Sequence, residues 1–276
     1  MKIVVLIENR GPDQLETEHG LSFYIEYDGR KYLLDSGSTA KFMENAKLLN
    51  VDLKEVDEAV LSHAHYDHCG GFDELLKYNT RAGLYLRAGT KENCYSMVTK
   101  GEEYIGIPRG FLKKWSERIH YIGGDYSLAK GVYLIPHKIN CEARTQKSGM
   151  FVKTSKGDRP DTFAHEQTMV FHTLKGMVLI NSCSHAGIDT IIREVKETFP
   201  DKSIYAVLGG FHLMRHTPEQ LAYTDGEVQK LAQLLLEEDI EHIYTGHCTG
   251  TKGYEIMKKT LGERIEYMET GKTIEL

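Results

Sequence analysis

One short stretch constrains this chain more than any other. His63-Ala64-His65-Tyr66-Asp67-His68 follows the apolar run Ala59-Val60-Leu61-Ser62 and leads into Cys69-Gly70-Gly71. Three imidazoles and a carboxylate at the end of a short buried strand are donors that divalent metals take. Imidazole suits zinc, iron, nickel or copper, and the carboxylate adds a harder oxygen. In a turn, His63 and His65 can point one way while Asp67 and His68 point another, which would feed two neighbouring metals. Gly70 and Gly71 allow the tight backbone needed to enter the next helix. Six residues cannot fill two coordination spheres, so further donors must reach the same rim.

Three later segments have the right form. Asn181-Ser182-Cys183-Ser184-His185-Ala186-Gly187, Gly209-Gly210-Phe211-His212-Leu213 and Gly246-His247-Cys248-Thr249-Gly250 each follow an apolar run. Each puts a histidine just past the C-terminal end of a strand, where α/β sheets place ligands. His185 and His247 are read as ligands, the alternative being packed or capping histidines. For His212, ligand, substrate contact and structural roles stay open. Asp35, after Tyr32-Leu33-Leu34, would orient a ligand histidine from behind, or serve as a turn aspartate. His120, His137, His172, His216 and His242 lack such a context and are expected to be solvated or packed.

The rest of the pattern gives the architecture. Ile3 to Ile7, Leu21 to Tyr27 and Tyr32 to Leu34 read as strands, with Asp28-Gly29 a hairpin turn. Thr39 to Leu49 reads as a helix capped by Ser38 or Thr39, and Phe72 to Tyr78 as another, before a strand at Gly83 to Arg87. Residues 90–130 are the least regular, with Phe111 to Ile119 the best helix there. Strands are expected at Gly131 to Ile135, Met150 to Thr154, Thr168 to Thr173, Met177 to Asn181, Ile204 to Leu208 and His242 to Thr245. Helices are expected at Ile188 to Thr198, Pro218 to Glu238 (opened by Thr217 and Pro218) and Tyr254 to Leu261. Runs of strands followed by strands alternating with helices imply two sheets, each covered by helices: an α/β (α+β) four-layer αββα sandwich in a single domain. A net charge of −6 argues against a general nucleic-acid binder. No run is apolar enough for a membrane helix, no secretory signal is expected from the short apolar run Ile3 to Ile7, and five cysteines without framework spacing suit reduced thiols in a cytoplasm.

The His63–Gly71 pattern is the signature of the metallo-β-lactamase superfamily, which this chain resembles. His19-Gly20-Leu21-Ser22, Leu33-Leu34-Asp35-Ser36-Gly37 and the three later histidine segments narrow the likeness. They resemble the branch of 7,8-dihydropterin-6-yl-methyl-4-(β-D-ribofuranosyl)aminobenzene 5′-phosphate synthases, from about Ile3 to the C-terminus. The resemblance implies the αββα fold and a metal site of His63, His65, Asp67, His68, His185 and His247, with His19, Glu166 and His212 as neighbours. Two departures stand out. Cys183 sits where most of the superfamily place a metal-bridging aspartate, and the branch's usual acidic residues give way to Phe163-Ala164-His165-Glu166-Gln167. Ile135 to Arg144 also departs from the branch.

The functional expectation is a metal-dependent hydrolase or transferase on a small anionic, phosphate-containing substrate. Its cofactors would be two divalent ions, zinc first, with iron, manganese or nickel as alternatives. Asp67 and His212 are the expected catalytic residues, for taking a proton and meeting developing charge. Within the resemblance, the reaction would be a C–N bond-forming synthase, with Arg87, Arg109 and Arg144 as candidate phosphate contacts. A ligand-binding or regulatory protein that keeps the metal but turns over little is the alternative from a different class.

Overall fold

The computed structural model describes residues 1–98, 101–138, 149–215 and 217–276. Arg144, Cys141 and His216 lie outside the described residues. The chain divides into two compact units, one of Met1–Gly123, Gly149–Glu166 and Glu269–Leu276, the other of Gly124–Ser148 and Gln167–Met268.

The first unit is built on a seven-stranded sheet. Thr273–Glu275, Lys2–Ile7, Ser22–Tyr27 and Arg30–Leu34 pair antiparallel. Glu58–Val60, Gly83–Arg87 and Ile119–Ile122 continue the sheet in parallel. The Asp28-Gly29 hairpin turns with φ of 48° and 76°, the left-handed pair that matches the twist of its strands. Because Arg30–Leu34 and Glu58–Val60 run side by side in one direction, their continuations at Asp35 and Ser62 emerge together. The core gathers Leu6, Leu33, Leu61, Leu84 and Leu86 with Phe42 and Ala46 of helix Lys41–Leu48 and Phe72, Leu75 and Leu76 of helix Phe72–Tyr78.

The second unit repeats that plan. Gly176–Ile180, Ile204–Leu208, His242–Thr245 and Ile265–Tyr267 are parallel, and Gln167–Thr173, Val132–Pro136 and Tyr126–Ala129 extend the sheet antiparallel. Helices Ile188–Thr198, Asp225–Glu237 and Gly250–Leu261 supply Ile191, Val195, Val228, Leu231, Leu235, Ile256 and Met257 to its core.

Several elements differ from their sequence expectation. Residues 90–130 carry strands Cys94–Val98 and Gly101–Tyr104, which join Met150–Thr154 and Gly157–Pro160 in a separate four-stranded sheet of the first unit. The helix expected at Phe111 to Ile119 is one turn, Phe111–Lys114, because the chain must extend again to place Ile119–Ile122 beside Gly83–Arg87. The helix expected from Pro218 starts at Asp225, where Thr224 and Glu227 form a reciprocal capping box. Helix Lys41–Leu48 has no side-chain cap at Ala40, but Thr39 Oγ1, one residue earlier, accepts from Lys41 N at 3.2 Å. Among the described residues, no helix is long and apolar enough to cross a membrane.

Candidate metal centre

In the first unit the strand Glu58–Val60 runs out through Leu61 and Ser62 into the histidine loop, and the short helix Tyr66–Cys69 closes it. Asp35 organises the entry. Fully buried, its Oδ1 accepts from Ser62 N at 2.7 Å, and its Oδ2 accepts from Ser62 Oγ at 2.6 Å and His68 Nδ1 at 2.8 Å. Ser62 Oγ in turn lies 2.8 Å from His63 Nδ1. Asp35 thus fixes the orientation of the His68 imidazole.

The four loop donors converge. The His63 ring lies 4.7 Å from that of His65 and 4.2 Å from that of His68. Asp67 Oδ2 is 3.3 Å from His68 Nε2 and 3.3 Å from Nε2 of the more exposed His19. Asp35, His63 and His68 each bring a ligand-type atom within 4.8 Å of the others.

These donors fit a cation. Burial, and behind it the neighbouring His68 and His65, holds His63 well below its ordinary range, and burial lowers His65 to about 3. Both are therefore neutral, the form that binds metal. Burial opposes charge on His68 as well, but Asp67 and Asp35 override it and raise that imidazole to about 10. In the metal-free chain a proton thus sits between His68 Nε2 and Asp67, where a cation would offset the same carboxylate charge. A buried carboxylate on the far nitrogen, as Asp35 is on His68, is the usual support of a metal-binding histidine.

The glycines act differently from expectation. Gly70 and Gly71 have φ of −63° and −86°, open to any residue. What requires glycine is the close approach of the Ser36–Thr39 backbone, since a Cβ on Gly70 would lie 1.9 Å from Ser38 O and one on Gly71 2.4 Å from Ser36 O.

In the second unit, the ends of the three adjacent parallel strands bring their loops together. Gly210 N donates to Ser182 O at 2.8 Å, Phe211 N to Thr249 Oγ1 at 2.9 Å and His212 N to Cys248 Sγ at 3.3 Å. The rings of His185 and His212 lie 4.2 Å apart. Burial would raise the Cys248 thiol, but Cys183, His212 and His247 beside it pull it well below its usual value. None of the four described cysteines is in a disulfide.

Backbone strain collects in these loops. Of the eight non-glycine residues with positive φ among the described residues, Asp35, Phe163, Ser184, His212 and His247 lie in or beside the candidate segments. Each such residue costs on the order of 1–3 kcal/mol and persists where its surroundings over-determine it, typically at functional sites.

The remaining expectations divide. His120 stacks on Tyr85 while staying exposed, whereas His137 meets the Glu194 carboxylate, His172 packs between Tyr133 and Phe199, and His242 reaches the Tyr205 hydroxyl. Arg109 lies over the Tyr104 ring and donates to Tyr95 Oη, so its guanidinium is engaged in the small sheet. Arg87 is buried in its strand, and Glu166 is buried with its amide on Phe163 O. It is His165 that touches the histidine loop, through Ala64 N at 3.1 Å. Sequence reasoning missed Asp161 and Cys94, which lie against His165. Neither stands near a recognisable motif.

Comparison with known proteins agrees with this geometry. Residues 16–137 match the Metallo-beta-lactamase superfamily. A 7,8-dihydropterin-6-methyl-4-(beta-D-ribofuranosyl)-aminobenzene-5′-phosphate synthase of Methanocaldococcus jannaschii is 28% identical, covering 94% of this chain and 90% of that protein. An uncharacterized protein of the same organism is 27% identical over 99% of both chains. The crystal structure of a metal-dependent hydrolase of the β-lactamase superfamily superposes with a TM-score of 0.83 at 29% identity, covering 100% of this chain and 99% of that one. By the histidine loop, the match over residues 16–137 and the fold, this chain is similar to proteins of the metallo-β-lactamase superfamily.

Proposed function

We propose that this chain is a metal-dependent enzyme acting on a small anionic, phosphate-containing substrate. The proposed ligands to two divalent ions, zinc first, are His63, His65, Asp67 and His68 with His185 and His247. The last two are assigned from their sequence positions after parallel strands. The observation that carries the reading is the buried Asp35 carboxylate on His68 Nδ1, which leaves Nε2 directed at Asp67 beside two neutral imidazoles. When bound, divalent ions acidify water and stabilise charge on a phosphate oxygen.

The chain's own residues divide the remaining work. Asp67 takes the proton of the attacking group, and His19, at 3.3 Å and partly exposed, passes it toward solvent. His212, proposed as the second catalytic residue, donates to the oxygen on which charge develops. Asp35 and Ser62 hold His68 and His63 in orientation.

A transferase reading has its own support in the synthase, whose likeness spans 94% of this chain. There the reaction would join a pterin pyrophosphate to an aminobenzene ribotide, with pyrophosphate leaving. Two measurements test the proposal. Metal content by mass spectrometry, on protein purified without chelator, should approach two ions per chain and fall in His63→Ala. Product analysis should then show phosphate release from esters and pyrophosphates, or the coupled product when both pathway substrates are supplied. Absence of bound metal in the wild-type chain would refute the reading.

A further inference from the structure

The loop 161–166 is tied to the histidine loop through one buried side chain. Ala64 N, between His63 and His65, donates to His165 Nδ1 at 3.1 Å. On the other side of the ring, His165 Nε2 lies 3.1 Å from Asp161 Oδ2, while Asp161 Oδ1 accepts from Phe163 N at 2.8 Å. Asp161, His165 and Ala64 are all buried, and Phe163, within the turn, holds a φ of 53°. The His165 ring lies edge-on to His65 at 5.6 Å and nearly parallel to His63 at 6.3 Å.

The hydrogen bonds set the tautomer. An amide N–H directed at Nδ1 needs a lone pair there, so the ring proton sits on Nε2 and is donated to Asp161. This matters because His65, Cys94, Asp161 and His165 also bring one donor atom each within 4.8 Å of one another, a set with the chemistry of a zinc site. A cation on His165 Nε2 would push the ring proton to Nδ1, against the Ala64 N–H. The donor set is therefore held together by hydrogen bonds, and its product is a fixed Ala64 amide.

We propose that His165, oriented by Asp161, is a positioning residue. It clamps the peptide between His63 and His65 and so sets the angle at which those two imidazoles meet a metal. Asp35 fixes a second amide of the same loop, holding Ser62 N at 2.7 Å. The inference rests on the metal reading above. It explains why a histidine is useful where acidic residues were expected, since a carboxylate at 165 would leave no N–H for Asp161.

The test uses the full metal-free chain titrated with cobalt(II), read by visible absorption and by competition with a chelating dye. Amide hydrogen exchange at Ala64 is measured in parallel. His165→Ala should weaken cobalt binding about 10- to 100-fold, the usual consequence of losing an outer support, shift the d–d bands and speed exchange at Ala64. His165→Asn, whose Oδ1 stands in for Nδ1, should restore the spectrum and most of the affinity. Cys94→Ser should leave both unchanged. Wild-type behaviour in His165→Ala, with cobalt still lost in His63→Ala, would overturn the clamp while leaving the metal reading intact. Equal damage in the Ala and Asn variants would make His165 a packing residue only. Loss of a cobalt equivalent and a thiolate charge-transfer band in Cys94→Ser would make the cluster itself a metal site, and overturn the proposal. If the wild-type chain binds no cobalt, the metal reading fails, and the Ala64 exchange rates alone decide whether the clamp exists.

Discussion

Asp35→Asn is the substitution that separates orientation from ligation most cleanly. The asparagine is nearly isosteric, and its oxygen can still accept from Ser62 N, which the carboxylate binds at 2.7 Å. Its amide nitrogen then replaces Oδ2, the atom that accepts from Ser62 Oγ at 2.6 Å and His68 Nδ1 at 2.8 Å. The serine hydroxyl can rotate and accept instead. His68 has no such freedom. It either keeps its Nδ1 proton with no acceptor, destabilising the fold by about 1–3 kcal/mol, or gives up that proton and holds the one on Nε2, the nitrogen facing Asp67. The second route blocks the lone pair that a metal would use, and metal affinity should fall about 10- to 100-fold, equal to about 1.4–2.7 kcal/mol. Cobalt titration against a chelating dye and a urea unfolding curve of the metal-free protein read the two routes separately. Cobalt affinity within twofold of wild type, together with an unchanged unfolding midpoint, would refute the assigned role of Asp35.

Other consequences follow from the same geometry. Asp67→Asn should abolish turnover while the circular dichroism spectrum stays that of wild type; normal activity would remove Asp67 from the mechanism. Stripping with chelator should lower the unfolding free energy, and zinc at 100 times its Kd should return about 2.7 kcal/mol. No dependence on zinc would mean that the donors hold no ion. Gly70→Ala places a Cβ 1.9 Å from Ser38 O, so the loop must shift; destabilisation of about 3 kcal/mol is expected, and a silent substitution would contradict the close approach. His172, lowered by burial and then by Lys202, should titrate below its ordinary 6.5 in NMR spectra. Because the folded state binds that proton less readily than the unfolded chain, its contribution to stability is complete above pH 6.5 and is lost as pH falls through the folded value.

Much of the fold is legible because strongly apolar segments announce themselves. Phe72–Tyr78, Gly83–Arg87, Ile188–Thr198 and Ile204–Leu208 lie where the pattern puts them. The misreadings have physical causes. Strands such as Gly101–Tyr104 and Gly157–Pro160 are short and polar; each pairs with its sequence neighbour, and the sheet closes only through Cys94–Val98 and Met150–Thr154, which are distant in sequence. Pro218 is a favourable first helical residue, yet the Thr224–Glu227 capping box begins six positions on and satisfies two backbone donors at once.

The candidate site shows the same division between what a local pattern can encode and what only the folded chain assembles. Donors after strand ends are readable, because a strand end is a local feature and metal chemistry restricts the residue types. The supports are not. Asp35 reaches His68 across 33 positions, and His165 reaches Ala64 across 101. Asp35 is legible because it too follows a strand, the parallel neighbour of Glu58–Val60. His165 follows none, and it sits in a turn whose φ of 53° at Phe163 comes from tertiary constraint. A loop of candidate ligands recognisable in sequence thus depends for its angles on side chains that sequence spacing leaves anonymous. Variants at 35 and 165 should therefore affect metal geometry more than the ligand pattern alone would suggest.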